Sequence, residues 1–427
     1  MPRGTIAQVR TDRGNREQRL DLLAYLVGLA FGVGVLIASG YAYWPGDDPG
    51  RSDFAKFWAG PRVLLLGRDP YDASTWVDPA LQLGTTFVGW PDHGSTPRYF
   101  GWAVVLVFPF ALLPLAAALG LWTVGGIAGA AFAMYALLRR ELPGHPIAYT
   151  LVAMTLVASH PARLTVLLGQ WGFVLTAALA AVVVWTRERR STRTGLVSVA
   201  FLAKPQLFVL AAPALAVWAW RNGQRRAVAI AAAASAAVVG LSLVLLPGWP
   251  AAWLRDIAKP PELFAEPQTT TLASVLYGIV GQPGTWLALA VIVGCALLAL
   301  AFDPRGTAWL GAWLPLSLVA APYVWTYDQT LLVVPLVIGA GVVARRSRRL
   351  ATSVIVCGTF TLLVLSTVLA IVAARRNLES YSAIIPLLVF ALLVATMWPS
   401  RRAAGSTWDD DVPNREGIGR DVLQRQN

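Results

Sequence analysis

Lys204 is a lone cation in the otherwise uncharged run of residues 195–220, within Leu202-Ala203-Lys204-Pro205-Gln206. A lysine at membrane depth is costly, so it usually marks a functional site. Pro205 breaks a helix and disfavours helical geometry at the residue before it. We therefore expect two short apolar helices to meet at a polar corner, where the cation suits an anionic headgroup or a phosphate. The alternative is a lysine that snorkels to the membrane interface.

Acidic residues follow the first apolar run in two places. Asp53 begins a stretch whose apolar residues Phe54, Phe57, Trp58 and Val63 recur at helical spacing, which predicts an amphipathic helix in the interface. Asp53 could also serve only as the N-cap of that helix. Further on, Asp69-Pro70-Tyr71-Asp72 is a turn signal, and a plain structural turn is the alternative to ligand binding by Asp69, Tyr71 and Asp72.

Two later segments carry polar side chains among apolar ones. Gln170, in Gly169-Gln170-Trp171-Gly172, either hydrogen-bonds a neighbouring helix or contacts a ligand. Trp325, Tyr327 and Asp328 open an apolar helix. Such a cluster can hold a sugar through ring stacking and hydroxyl hydrogen bonds, although Asp328 alone could be a helix cap.

The composition identifies the environment of these residues. The chain has 427 residues, 56% of them hydrophobic and only 14% charged. Several apolar runs approach or exceed the ~20 residues that span a bilayer, so we predict an all-α polytopic membrane protein. The clearest runs are Leu20–Tyr43, Leu115–Leu138, Leu164–Trp185 and Ala351–Ala373.

The net charge of +12 does not indicate a nucleic-acid partner, because the arginines lie in short turns between apolar runs. The three histidines and two cysteines lack the spacing of metal ligands, so we expect no metal and no cofactor.

Arginine placement predicts the topology. A basic tail, residues 1–19, and the basic turns at residues 139–140, 187–193, 221–226 and 345–349 should all be cytoplasmic. If consecutive basic segments all lie in the cytoplasm, the chain must cross the membrane an even number of times between them. This gives about twelve transmembrane helices with both termini inside, and a turn at His160-Pro161. The membrane domain then covers residues 20–400, and the polar tail 401–427 has the composition of a disordered segment.

On this topology the unusual polar residues gather at the extracytoplasmic face. That face holds the first outer loop, residues 44–98, together with His160, Lys204, residues 247–282 and residues 323–329. Any chemistry should therefore occur at this surface of the plasma membrane.

Taken in chain order, the polar segments described above resemble those of glycosyltransferase family 87. The best-known members of this family are polyprenol-phosphate-mannose-dependent α-1,2-mannosyltransferases of the C-type glycosyltransferase architecture. The resemblance covers roughly residues 50–340. The residues that carry it are Asp53-Phe54, Phe57, Ala59-Gly60, Gly67, Asp69-Pro70-Tyr71, Phe108-Pro109 to Pro114, Gly169-Gln170, Lys204-Pro205-Gln206, Pro322 and Trp325.

The resemblance implies a transferase that moves a hexose, mannose in the known members, from a polyprenyl-phosphate donor to a lipid or glycan acceptor. The acid after the first helix, here Asp53, would be the general base. Lys204, Gln206 and Arg98 would meet the donor phosphate, and the polar residues of the turn, Gln170 and the 325–328 segment would contact sugar or acceptor. Many members carry an Asp-His pair directly after the tryptophan, where this chain has Thr326-Tyr327.

A transporter or flippase of lipid-linked substrates is the alternative, since broken helices and buried charges also occur in transporters. The sequence contains no repeated half, and its polar residues gather at one face instead of the midplane. A non-catalytic membrane protein of envelope assembly is a third hypothesis, which the altered residues after Trp325 suggest.

Overall fold

A computed structural model describes residues 4–40, 50, 52–77, 83, 100–257, 270–376 and 379–398, which form helices and connecting turns with no β-strand. The prediction of an all-α fold is thus confirmed for this part of the chain. The α-helices are α1 Gly4–Ala38, α2 Asp53–Leu65, α3 Ala73–Val77, α4 Gly101–Val107, α5 Leu115–Glu141, α6 Pro146–Ala158, α7 His160–Leu168, α8 Gly172–Arg187, α9 Ser191–Val197, α10 Ala211–Arg221, α11 Arg225–Leu245, α12 Trp249–Ile257, α13 Leu272–Val280, α14 Gln282–Leu300, α15 Thr307–Ala320, α16 Val333–Ala344, α17 Arg348–Phe360, α18 Ser366–Arg376 and α19 Ile384–Met397.

Shorter helical segments connect several of these helices. The 3₁₀ helices are Phe108–Leu112, Ser198–Ala203, Pro205–Phe208, Thr326–Leu332 and Glu379–Ala383, and a π-helical turn, Thr361–Leu365, joins α17 to α18. Residues 4–19, predicted as a tail, are helical and continuous with the first apolar run. Arg98 and the tail 401–427 lie outside the described residues.

Seven helices in the described ranges are long and apolar enough to cross a membrane, or eight if the bent pair α6 and α7 counts as one span. The chain is therefore a multi-pass membrane protein. Three shorter apolar helices, Gly101–Leu112, Gly172–Arg187 and Thr307–Ala320, add to these. The total of about twelve crossings stays a prediction.

The region around His160 differs from the predicted pair of passes. Ser159 ends α6 and caps α7, and the two helices differ in direction by only 41°. The expected reversal at His160-Pro161 is therefore wrong. The chain instead breaks at residues 169–171, so the predicted pass Leu164–Trp185 is interrupted between α7 and α8.

Helix α2 does not present its apolar face to lipid. Phe54 and Val63 are fully buried, and the Phe54 ring lies 5.2 Å from the ring of Trp122 and 6.2 Å from that of Phe110. The pattern correctly predicts a helix, but its partner is the protein core, not the membrane interface. Periodicity alone cannot distinguish these two apolar surroundings.

The segment Thr326–Ala344 forms the centre of the bundle, since 94% of its most apolar stretch is buried, against 6% for α11 at the periphery. Helix α1 packs closely on α6. At Gly28 a side-chain Cβ would collide with the carbonyl oxygen of Thr150, so the two backbones touch.

The basic turns gather at one end of this bundle. Arg187, at the end of α8, forms a 2.9 Å ion pair with Glu141 at the end of α5. The backbone N–H of Gly144 donates to Asp21 in α1, which brings the first helix to the same end. The start of α8 lies about 24 Å away along this 16-residue helix, near the thickness of a bilayer core.

Candidate functional site

Asp53 is the first residue of α2 and not its cap. The Ser52 hydroxyl accepts the Ala55 N–H and so fills the capping role that the sequence left open for Asp53. The carboxylate of Asp53 is free to use both oxygens: Oδ1 pairs with Lys56 Nζ at 2.9 Å, and Oδ2 accepts from Gln170 Nε2 at 2.8 Å. The Asp53 side chain is 25% exposed, so a ligand can approach it.

Gln170 reaches Asp53 because the chain breaks immediately before it. Gly169 ends α7 in the left-handed region, at φ +64°. The Gln170 backbone N–H donates to Thr165, and its carbonyl accepts from the Trp122 indole. The Gln170 side chain is buried, and its Oε1 has no hydrogen-bond partner among the described residues. A buried acceptor of this kind needs a water or a ligand.

The polar corner predicted at Lys204 is confirmed, since this residue separates two 3₁₀ helices, Ser198–Ala203 and Pro205–Phe208. Its ammonium group does not snorkel. Lys204 Nζ lies 2.7 Å from Asp328 Oδ1 and 4.4 Å from the centre of the Tyr327 ring, and only 11% of its side chain is exposed. The predicted lone cation is thus half of a buried ion pair.

Side chains from other helices satisfy the backbone of this corner. Ser317 in α15 accepts from the N–H groups of Leu210 and Ala211 and donates to the Leu207 carbonyl. The Trp102 indole donates to the Leu202 carbonyl at 2.7 Å. A broken helix in a membrane protein requires such partners, so these contacts permit the break.

Asp328 has the capping role that the sequence allowed, and it also forms an ion pair that the sequence did not reveal. Its Oδ2 accepts the Trp325 N–H at 3.0 Å, as a capping side chain does, while Oδ1 pairs with Lys204. Trp325 and Tyr327 stack with ring centres 6.4 Å apart, and the indole N–H of Trp325 has no partner in the described part of the chain. Nearby, Thr326 Oγ1 donates to Glu379 Oε2 at 3.4 Å.

Thr165 links the Asp53 cluster to the Lys204 cluster. Its carbonyl accepts the Gln170 N–H at 2.9 Å, and its hydroxyl lies 3.2 Å from the Tyr327 carbonyl. At Gly172 a Cβ would lie 2.6 Å from this hydroxyl, so the start of α8 also packs here. The two clusters are therefore neighbours at the end of the bundle opposite Glu141 and Arg187.

The predicted ligand residues 69–72 form a turn. Asp69 Oδ1 accepts the Tyr71 N–H at 2.8 Å, and Asp72 Oδ1 accepts the Ser74 N–H at 2.9 Å. The bonds from Ser74 hold the pKa of Asp72 below its usual value. Burial, with Asp69 nearby, raises the pKa of Tyr71, so its phenol stays protonated. Tyr71 packs with Val104, Leu246 and Trp249 in a small apolar cluster.

One predicted phosphate contact remains. Gln206 lies half-buried in the 3₁₀ helix that follows Lys204. In the described ranges, no group of three or more His, Cys, Asp or Glu side chains could hold a metal ion.

Sequence reasoning missed several contributors, Thr165 among them. Lys56 could have been found, because its spacing of three residues from Asp53 places both on one face of α2. Trp102, Ser317 and Glu379 carry no local signal, since each meets its partner across long stretches of chain.

We expect Gly169→Ala to loosen the break that presents Gln170. The left-handed backbone alone costs a non-glycine residue about 1–2 kcal/mol, and a Cβ here would lie 2.6 Å from the Cβ of Phe54. Thermal unfolding in detergent should show a lower Tm. Gly125→Ala is the control, because nothing lies within 4 Å of its position in α5. Equal Tm values for the two variants would contradict this account.

Comparison with known families gives one result. A sequence model of Glycosyltransferase family 87 matches residues 102–335, more than half of the chain. The matched range includes Gln170, Lys204, Gln206 and the 325–328 segment, whereas Asp53 and the 69–72 turn precede it. Neither the curated proteins nor the solved structures include a match to this chain.

Proposed function

The chain belongs to glycosyltransferase family 87, and on this basis we propose that it transfers mannose from a polyprenyl-phosphate-linked donor to a lipid or glycan acceptor. Membership of the family implies glycosyltransferase activity, with a sugar donor and an acceptor as substrates. The polyprenyl-phosphate donor, the mannose, the C-type architecture and a reaction at the extracytoplasmic face of the plasma membrane are parts of the proposal.

The observation that carries the proposal is that a reachable carboxylate and a buried cation belong to two clusters of residues joined through Thr165. Asp53 is held by Gln170 at the break before α8, and Lys204 lies next to Tyr327. Thr165 contacts the backbones of Gln170 and Tyr327, which are the neighbours of these two groups. A transferase with a phosphate leaving group needs this pair of functions, a proton acceptor for the nucleophile and a positive charge for the leaving group.

In the proposed reaction, Asp53 takes the proton of the acceptor hydroxyl as that oxygen attacks the anomeric carbon. The bond from this carbon to the phosphate oxygen breaks, and the polyprenyl phosphate leaves with the electron pair. Each Asp53 oxygen uses one of its two lone-pair positions for Lys56 or Gln170, so positions remain for the hydroxyl. A single displacement of this kind inverts the anomeric centre.

Lys204 would contact the donor phosphate while it stays paired with Asp328. An ammonium group has three donors, and the ion pair uses one of them. Gln206 and Arg98 are proposed to assist at the phosphate. Tyr327, Gln170 Oε1 and the Trp325 indole N–H are proposed sugar contacts. The last two have no hydrogen-bond partner among the described residues, and a buried polar atom of this kind favours a ligand that supplies one. The turn of Asp69, Tyr71 and Asp72 is proposed to meet the acceptor.

The direct test is transfer of labelled mannose from a polyprenyl-phosphate donor into lipid by the purified protein. We expect incorporation that requires both donor and acceptor. Movement of the intact donor across a vesicle membrane without transfer would instead identify a transporter. If neither activity occurs with a folded protein, the non-catalytic hypothesis for envelope assembly is favoured.

The proposed topology predicts the labelling of single cysteines from outside intact cells. Ser74→Cys, beside exposed Asp72, should react with an impermeant reagent, whereas exposed Thr192→Cys at the arginine-rich end should not. Both are placed in a background with Cys295→Ala and Cys357→Ala. Lys204 itself is a poor probe because it is buried. External labelling at residue 192 would reverse the proposed orientation.

A further inference from the structure

A second polar feature lies away from the transfer site, at the end of the bundle that holds the arginine turns. A cavity of about 640 Å³ opens between α10, α11 and the turn before α15, and its lining includes Arg221, Arg225 and Arg305. Ser191 Oγ donates to Gln224 Oε1, so this region adjoins the basic turn after α8. Nothing in the proposed transfer uses it.

The three arginines carry net positive charge into the cavity. None of them forms an ion pair with another described residue. The nearby acid, Asp303, is exposed, and its Oδ1 accepts the Arg305 backbone N–H. The guanidinium group of Arg225 lies 4.9 Å from the centre of the Trp220 ring, and Asn222 donates to the Arg305 carbonyl. All three arginines are exposed and line one cavity without a carboxylate partner among the described residues, so this surface attracts anions.

The rest of the lining is apolar and faces outward. Ala216, Val217 and Val228 complete the cavity wall, with Val217 41% exposed and Trp220 50% exposed. Helix α11 is the least buried of the candidate spans, with 6% of its most apolar stretch covered. Basic groups at one end and an open hydrocarbon surface beside them match a phospholipid, whose headgroup is anionic and whose chains are apolar.

We propose that this cavity binds the headgroup of an anionic phospholipid from the leaflet at the arginine-rich end of the bundle. Arg221, Arg225 and Arg305 hold the phosphate, and the acyl chains lie along Val217 and the outer face of α11. Trp220 stands at the level of the headgroup, where tryptophan is enriched in membrane proteins. The site is structural or regulatory and does not depend on the identity of the sugar donor.

The test is lipid binding by the full-length protein in detergent, measured by native mass spectrometry. Phosphatidylglycerol and phosphatidylcholine with the same acyl chains are compared. We expect phosphatidylglycerol alone to stay bound to the wild type. The triple variant Arg221→Gln/Arg225→Gln/Arg305→Gln should bind it on the order of 100-fold more weakly, from about 1 kcal/mol per arginine.

A matched triple variant, Arg139→Gln/Arg140→Gln/Arg349→Gln, removes the same charge from exposed arginines outside the cavity and should bind like the wild type. Val217→Trp keeps all three cations, but its larger side chain fills part of the space along the apolar wall of the cavity. This variant should therefore also weaken lipid binding. That variant keeps the test decisive if the first triple variant fails to fold.

Other outcomes would overturn the proposal. Equal loss in both triple variants would mean that only overall charge matters. Equal retention of the two lipids would exclude recognition of an anion. Full displacement of phosphatidylglycerol by inorganic phosphate, with Val217→Trp unaffected, would identify a site for a soluble phosphate and not for a lipid.

Discussion

Asp53→Asn is expected to abolish sugar transfer almost completely while the protein still folds. General bases contribute typically ~10²–10⁴-fold to rate, and an amide cannot take the proton of the acceptor hydroxyl. Ser52, not Asp53, caps α2, so the helix keeps its N-terminal hydrogen bond in the variant. The asparagine oxygen can still accept from Gln170. Initial rates of mannose transfer at saturating donor, with the Tm in detergent, measure both effects.

Asp72→Asn is the matched control for this variant. It makes the same chemical change in an exposed carboxylate of the 69–72 turn, which is proposed to contact the acceptor. We therefore expect a raised KM for the acceptor but a nearly wild-type kcat. If Asp72→Asn or Asp69→Asn loses transfer while Asp53→Asn keeps it, the base belongs to the turn. Activity in all three variants would rule out a single carboxylate base in this loop. Because the matched family range begins at residue 102, these variants also test whether the preceding loop belongs to the site.

Lys204→Met is expected to destabilise the fold by about 3–5 kcal/mol, because it leaves a buried carboxylate without its partner. Only 2% of the Asp328 side chain is exposed, so water cannot replace the lost ammonium. The sequence alone predicts that loss of the Lys204 ammonium weakens donor binding more than it destabilises the fold, since the sequence does not reveal the ion pair. The expected readout is a large drop in Tm for Lys204→Met and for Asp328→Asn.

A second Lys–Asp pair among the described residues supplies the control. Lys56 and Asp53 are 30% and 25% exposed, and pairs in such surroundings contribute about 0–1 kcal/mol. Lys56→Met should therefore leave the Tm almost unchanged. The double variant Lys204→Met/Asp328→Asn should lose less stability than the sum of the single variants. A wild-type Tm for Lys204→Met, with a raised apparent KM for the donor, would make Lys204 a donor contact only.

The sequence by itself determined the membrane environment and most helix positions. Apolar runs fixed the helices because backbone groups in lipid must bond within their own segment. Pro205 likewise fixed the break at Lys204, a local steric effect that needs no knowledge of the fold. Asp53, Gln170 and Asp328 could also be identified as candidate site residues from the sequence, since polar side chains are rare among apolar ones.

Tertiary structure alone decided which of these groups meet. Gln170 contacts Asp53 from 117 residues away, and Lys204 contacts Asp328 from 124 residues away. Such contacts depend on how helices stack, which periodicity does not encode. The same limit explains why the sequence predicts α2 at the membrane interface, because an apolar face has the same sequence pattern whether protein or lipid covers it. The lone cation became an ion pair because burial of a charge requires a partner, and only the fold supplies one.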